Sequence, residues 1–483
     1  MGRVLIEVGA LLLSWALGLS FIKPLFDLSS ASVKLLWIAL GWTFGALLSS
    51  VIWFLLCIWP ALPAFYAVAF EVLLLWLFWF RGRKYVFRTS GPLIAASAAS
   101  ESAWTRAVIA LAVICFLLFA VNFAIASRQT PDGNWDAWAI WNMHARVLYR
   151  APLAWRTVLP LLTYSHPDYP GLQPITIARL WSLAGDDSPS APILVQFAFG
   201  AAPVLLVASS LAVLKSWAHG AIAAIFLLGT TYTSVATWQY ADPTVSLFIA
   251  ASFVLLVCYR RSGERSLLFL AGMSAGAAAW VKNEGGLFVA CLVLTGMILW
   301  MRSNERRRAL LDARPFVYGL VIPLACVFVF KRLIAWHSDV MTWTSEWHQW
   351  AVGLTTKRVW TILRAYWNTA WKMDRWTIPP LLWLLLFMDT AGVETSKTLR
   401  RDARRGLAVL GLMLLGYIII YATSAQDLNW YLSTSLQRLF LQMWPAFLFL
   451  IFLFVRVPIR AFECRFGTSQ SFVSKRNQER IKI

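Results

Sequence analysis

Apolar residues in this chain come in long unbroken runs parted by short polar stretches, without the period-2 alternation of half-buried strands. The runs cover roughly 4–22, 35–58, 61–80, 107–126, 191–213, 219–237, 244–259, 267–281, 285–301, 316–334, 377–392, 407–424 and 439–456. Crossing about 30 Å of hydrocarbon at about 1.5 Å per residue takes about 20 residues, so the pattern predicts an all-α polytopic membrane protein of about thirteen transmembrane helices. The first run has no small-residue cleavage site and exceeds a signal-peptide core, so it reads as a retained span. Gly285 and Gly286 part the runs 267–281 and 285–301, which form two short helices or one long bent element.

The polar stretches differ in kind from one side to the other. Lys and Arg gather in Arg81, Arg83, Lys84 and Arg88, in Arg260, Arg261 and Arg265, and in Arg302, Arg306, Arg307, Arg308 and Arg314. Lys397, Arg400, Arg401, Arg404 and Arg405 form a fourth group, and the tail 457–483 a fifth. Alternating spans put all five on one face, which the positive-inside rule assigns to the cytoplasm. The loop 127–190 then lies outside with balanced charge. The loop 335–376, also placed outside, carries more basic than acidic residues, and long loops obey the rule poorly.

Composition narrows the class further. Hydrophobic residues make up 59% of the 483 positions and charged ones 14%, too apolar for a string of soluble domains. The net charge of +20 is mostly a topogenic signal and an attraction to anionic lipid head groups. Nucleic-acid binding is excluded as its cause, because the basic residues are dispersed over short loops. Of the six cysteines, only Cys464 lies away from a span, in the tail, so no disulfide framework is expected. There is no CxxC, no HExxH and no internal repeat.

The chain divides into a three-helix membrane segment (1–90), a small-residue linker, a membrane core (105–334) holding the loop 127–190, an aromatic loop (335–376), C-terminal membrane helices (377–456) and a basic tail (457–483). Chemistry-bearing residues cluster at the outer span ends. Asp132 and Asp136 open the first outer loop, and the stretch 135–149, free of Gly and Pro, reads as an amphipathic helix in the membrane interface. Its tryptophans would face the head groups and leave Asp136 and Asn142 toward water or substrate. A carboxylate there suits proton transfer, and a plain interfacial anchor is the competing reading.

His166, Asp168 and Tyr169 sit in a rigid HPDYP turn, fit to orient a phosphate or hydroxyl, or only to turn a corner. Asp242 precedes Pro243 where a span returns; it is an N-cap or a second active-site acid. Lys282 and Glu284 lie at a hairpin tip as a structural pair, or with Lys282 on a phosphate. Arg438, at the outer end of the last span, snorkels or forks onto a phosphate. Trp343, Trp347, Trp350, Trp360, Trp367, Trp371 and Trp376 in the 335–376 loop serve as a sugar-stacking platform or as membrane anchors.

In order along the chain, these segments resemble the GT-C superfamily of membrane glycosyltransferases, close to the protein O-mannosyltransferase and aminoarabinose-transferase group. NWDAWAIWNMHARVLY (134–149) stands where that group keeps its essential acid, although many members carry a paired Asp-Glu that this chain lacks. HPDYP (166–170) resembles the group's His-Pro-Pro turn, with Asp168 in place of the second proline. ADPTVSLF (241–248), GAAAWVKNEGGLF (276–288) and LQRLFLQMWPAFLFL (436–450) resemble the Asp-Pro that opens a span, the Gly-rich span ending in Lys, and the Arg-Tyr-Leu…Pro segment. The likeness covers about residues 105–455; the segment 1–90 lies outside it.

The resemblance implies a GT-C-like catalytic core that moves a hexosyl or pentosyl group, with inversion, from a polyprenyl-phosphate-linked sugar to an extracytoplasmic acceptor. Asp136, or else Asp132, would be the general base. Arg438, with Lys282 and His166, would hold the donor phosphate. Asp242, with Asp168, Tyr169 and Asn142, would contact the acceptor. No cofactor is required; some members use a divalent cation, and the acids here neither require nor exclude one. The expected setting is a bacterial inner (cytoplasmic) membrane with the active site on the extracytoplasmic side. The rival reading is a transporter or lipid flippase, which would place its ionisable residues mid-span in matching halves.

Overall fold

The computed structural model describes residues 2–59, 63–84, 102–334, 355–371, 379–424 and 426–456. Among them the regular structure is helical, and the one isolated β-bridge joins Val393 to Val455. The N-terminal helices are α1 (Gly2–Ile22), α2 (Ala31–Ile58), α3 (Ala64–Lys84) and α4 (Ala103–Gln129). The segment between α4 and the next long helix holds α5 (Asn142–Arg150), the short α6 (Trp155–Val158) and α7 (Leu172–Ala184). Then come α8 (Ser190–Leu214), α9 (Trp217–Leu228), α10 (Tyr232–Thr237), α11 (Asp242–Ser262) and α12 (Arg265–Val281). After α13 (Asn283–Met301) and α14 (Arg306–Ile334) the chain ends with α15 (Thr356–Trp371), α16 (Pro380–Ala391), α17 (Lys397–Thr423) and α18 (Leu428–Phe454).

An apolar helix occupies each expected run, and the chain is an all-α, multi-pass membrane protein. Nine of the described helices are long and apolar enough to cross a bilayer. Ala64–Phe80, Trp217–Leu228, Arg265–Val281 and Pro380–Ala391 are shorter. The expected span 219–237 is not continuous: a turn after Gly229 separates α9 from α10. The run across 267–301 is two helices, broken at Lys282 in extended backbone (φ −157°, ψ 153°) instead of at the glycines. Gly285 serves packing: a Cβ there would lie 1.9 Å from the Ala278 carbonyl oxygen, so the start of α13 can press onto the end of α12 only without a side chain.

Contacts between the connecting segments sort into two sets. At one end Trp155 donates from Nε1 to the Cys57 carbonyl at 2.8 Å, Arg3 pairs with Asp186 at 2.6 Å, and Lys331 lies beside Asp168. At the other Lys215 pairs with Glu394, Arg260 with Asp402 at 2.8 Å, and Arg265 with Asp312 at 2.9 Å. The basic groups at 260–265, 302–314 and 397–405 thus share an end of the bundle. The aromatic segment 335–376 is described only for α15 and its N-cap. There Tyr366 packs against Tyr421 and Phe440, while Trp360 and Trp367 point outward; Trp343, Trp347, Trp350 and Trp376 lie outside the described residues, as does the tail 457–483.

The N-terminal segment is joined to the rest by a buried ion pair. Arg179 on α7 grips Glu71 on α3 with both arms, Nε to Oε1 at 3.0 Å and Nη2 to Oε2 at 2.5 Å. Its Nη1 donates to the Ala10 carbonyl on α1 at 2.9 Å, and both partners are wholly enclosed. Removing one ion strands the other, at about 3–5 kcal/mol, whereas an apolar pair of similar volume is close to neutral. We therefore expect Arg179→Met to lower the melting temperature of the detergent-purified protein strongly and the double variant Glu71→Leu/Arg179→Met to recover most of it. Equal damage by both would show that the loss does not come from a stranded glutamate.

Candidate functional site

Asp242 begins α11, and the adjacent Pro243 suits a first helical turn, where no N–H is needed. The carboxylate does not cap its helix. It turns inward, 1% exposed, and accepts three hydrogen bonds. Lys282 Nζ donates to Oδ1 at 3.1 Å, Gln442 Nε2 to the same oxygen at 2.5 Å, and Arg438 Nε to Oδ2 at 3.2 Å. Lys282 reaches it because the backbone is extended where α12 stops. Arg438 and Gln442 reach it together because they stand four residues apart on one face of α18.

The cluster continues in both directions. Arg438 Nη2 forms an ion pair with Asp136 Oδ2 at 2.7 Å, and Lys282 Nζ one with Glu284 Oε1 at 2.8 Å. The resulting row, Asp136–Arg438–Asp242–Lys282–Glu284, alternates in sign along its length. Its middle is closed off, while Asp136, Arg438 and Glu284 each keep about one-sixth of their side-chain surface open. Glu284 Oε2 and Gln442 Oε1 are buried without a hydrogen-bond partner among the described residues. Aromatic rings wall the row: Tyr240 lies under the Arg438 guanidinium at 4.7 Å and Tyr169 faces Lys282 Nζ at 5.8 Å. Burial, followed by the nearby Asp136 charge, pushes the Tyr240 phenol up to about 12, and burial with Glu284 raises Tyr169 well above its ordinary range, so both stay neutral donors.

A second group adjoins through the chain itself. Asn283, between Lys282 and Glu284, donates from Nδ2 to Asp168 Oδ2 at 2.8 Å and accepts from Lys331 Nζ at 2.9 Å. Lys331 also donates to the Asp168 carbonyl at 3.2 Å. Asp168 is thereby held from α13 and α14, and Tyr169 beside it stacks on Trp141 with ring centres 5.4 Å apart. Among the described residues no group of three or more His, Cys, Asp and Glu side chains is placed to hold a metal ion.

Of the residues singled out in the sequence, Asp136, Asp242, Lys282 and Arg438 meet in the row, with Asp168 and Tyr169 next to it. Asp132 does not join: it pairs with Arg146 at 2.9 Å, half exposed. Asn142 also differs from expectation. A π turn at Ala137–Trp141 replaces the start of the expected amphipathic helix, and its wider turn changes which side chains face inward. Trp135 and Trp138 face outward as anticipated, but Trp141 and Asn142 are wholly buried. Asn142 Nδ2 donates to Gln239 Oε1 at 3.0 Å and to the Asp132 carbonyl at 3.2 Å. His166 has left-handed backbone (φ 49°), and its ring stacks on Tyr169 at 5.2 Å.

Sequence reasoning missed Gln442 and Lys331 as members of the site, and gave no role to Asn283 and Tyr240, which flank residues it singled out. Gln442 had a signal, its four-residue offset from Arg438. Lys331 had none, since a lysine at a span end is ordinary. Comparison of the chain with protein-family models, with curated proteins and with solved structures finds no match.

His144 on α5 locks the turn that carries Asp168. Its Nε2 bonds to the Ser165 carbonyl at 2.8 Å, and Ser165 Oγ donates to the Ala139 carbonyl at 2.5 Å. Burial pushes the imidazole down to about 4. The unfolded chain therefore binds this proton more readily, so the stabilisation is complete above about pH 6.5 and is lost as pH falls toward 4, by roughly 3 kcal/mol in all. Melting curves of wild type and His144→Gln between pH 7.5 and pH 4.5 should converge as the pH drops; parallel curves would show that His144 does not titrate in this way.

Proposed function

We propose that this protein is an integral membrane glycosyltransferase that moves a sugar from a polyprenyl-phosphate donor to an acceptor at the membrane surface, with inversion. One observation carries the reading: Arg438 stands between Asp136 and Asp242, with Lys282 on the far side of Asp242. A group fit to take a proton and two cations fit to neutralise a leaving phosphate thus share one partly open site. Asp136, Asp242, Lys282 and Glu284 lie at helix ends, which favours an enzyme over a transporter with mid-span charges, while Arg438 and Gln442 enter the row from the middle of α18.

In this reading the acceptor hydroxyl gives its proton to the Asp136 carboxylate as its oxygen attacks the anomeric carbon. The bond from that carbon to the phosphate oxygen breaks, and the electron pair leaves with the polyprenyl phosphate. Arg438 and Lys282 offset the charge that develops on the phosphate. In the free protein both cations rest on carboxylates, so the donor phosphate must draw Arg438 partly off Asp136. That exchange would leave Asp136 ready to act as base only when the donor is present. Asp242 stays behind, holding both cations in position. Asp168 and Tyr169 border the space where the acceptor would lie, and the basic end of the bundle would face the cytoplasm of a bacterial inner membrane.

The test uses purified protein in nanodiscs, a panel of radiolabelled polyprenyl-phosphate sugars and a membrane-lipid acceptor extract. Wild type should release polyprenyl phosphate. Asp136→Asn should lower release by at least about 100-fold while still binding donor, and Arg438→Gln should weaken donor binding itself. Asp132→Asn should behave as wild type. Equal release by wild type and Asp136→Asn would remove Asp136 as the base. No release from any donor, in an extract where a known transferase works, would overturn the assignment in favour of transport.

A further inference from the structure

The opposite end of α11 carries a feature that glycosyl transfer leaves unused. Asp242 and Arg260 are separated by about 27 Å of helix rise. Near Arg260 a cavity of about 320 Å³ opens among α11, α12, α13, α14, α17 and α18, walled by Phe253, Leu256, Leu292 and Leu450. It shares Thr295, Leu299 and Arg405 with a groove of about 860 Å³ between α13 and α17. The groove's floor is Ile298, Leu412 and Leu415. Its rim is Arg302, Lys397, Arg400, Arg401, Arg404 and Arg405.

The charge on that rim is in large excess over the acids near it. The two acids of the inner cavity are already engaged, Asp402 by Arg260 and Asp312 by Arg265. None of the six rim cations forms a close ion pair among the described residues; Asp402, already paired with Arg260, acts on Arg405 from a distance, and Arg404 lies over the Phe454 ring at 5.9 Å. Arg405 Nη1 is buried with no hydrogen-bond partner, at the junction of the two spaces. Lys397 and Arg400 also occupy the first turn of α17, where the helix dipole favours an anion and disfavours a cation. The groove's mouth meets the apolar outer surface of the bundle at Leu415, 56% exposed, with Met297 and Ile419 nearby on the same helices.

We propose that this groove binds an anionic membrane phospholipid, its phosphate on the arginine rim and an acyl chain along the apolar floor. The chain's own tail is unsuited to the place, because Arg460, Arg465, Lys475, Arg476, Arg480 and Lys482 outnumber Glu463 and Glu479. A soluble anion would satisfy the rim and leave the floor bare. The inference does not rest on the proposed transferase activity and holds equally for a transporter.

Native mass spectrometry of the delipidated full chain tests it, by titration with phosphatidylglycerol, with phosphatidylcholine and with inorganic phosphate. Phosphatidylglycerol should bind at about tenfold lower concentration than phosphatidylcholine, and Arg404→Gln/Arg405→Gln should remove about tenfold of its affinity. Gly411→Trp offers a second variant with every charge kept. Gly411 lines the groove and a Cβ there meets nothing within 4 Å, so the indole can fill the floor. It should weaken phosphatidylglycerol without affecting the fold. Equal binding of the two lipids, displacement of phosphatidylglycerol by millimolar phosphate, or undiminished binding to Gly411→Trp would each overturn the proposal.

Discussion

Asp242 is the group on which the arrangement of its end of the bundle depends. A carboxylate removed from water is tolerable only when charged or strongly polar donors replace its hydration. Asp242 takes its donors from the break between α12 and α13 and from α18, so one carboxylate sets the depth and rotation of these helices against α11. Arg438 then carries the constraint to Asp136 and fixes the start of the segment that follows α4. Loss of the acid would leave two cations facing each other in a dry place. For that reason Asp242 reads as the keystone of the site, whichever residue takes the proton.

Much of this was legible from the pattern of residues. Long apolar runs are an unambiguous record of membrane helices, because the bilayer demands internal satisfaction of every backbone group. Residues out of place in such a chain, Asp136, Asp242, Lys282 and Arg438, were legible too, since ionisable groups in or beside the membrane are costly unless used; the helix that carries Arg438 starts at Leu428, well before its apolar run does. What could not be read was side-chain direction. Asp242 precedes a proline at a helix start, the ordinary setting for a cap, yet its carboxylate points away from its own helix. Asn142 looked available and is sealed in, because a π turn changes the rotation of everything after Trp138. Lys331 and Gln442 are of types common at their positions, and only the packing of distant helices gives them a place.

The bundle is polarised along its axis. One end concentrates a row of alternating charge, three acids and two cations, walled by aromatics; the other carries cations in excess. Between the two, α11 is almost wholly buried, with Ser274 on α12 donating to its Phe248 carbonyl at 2.8 Å. The enclosed middle gives the outer row a rigid floor, and preorganised charge is worth most where it cannot relax.

The Arg179–Glu71 pair has a consequence for how the chain is made. Its two members are 108 positions apart. At about 5–20 residues per second the ribosome takes roughly 5 to 20 s to supply the arginine after the glutamate has emerged. During that interval α3 would sit in or beside the bilayer with a lone acid midway along its apolar stretch, a state costing roughly 2.5–3.5 kcal/mol if the acid were charged. The first three helices therefore cannot finish assembling alone. Their insertion stays provisional until α7 arrives, and the N-terminal segment is completed by the part of the chain that also carries Asp136.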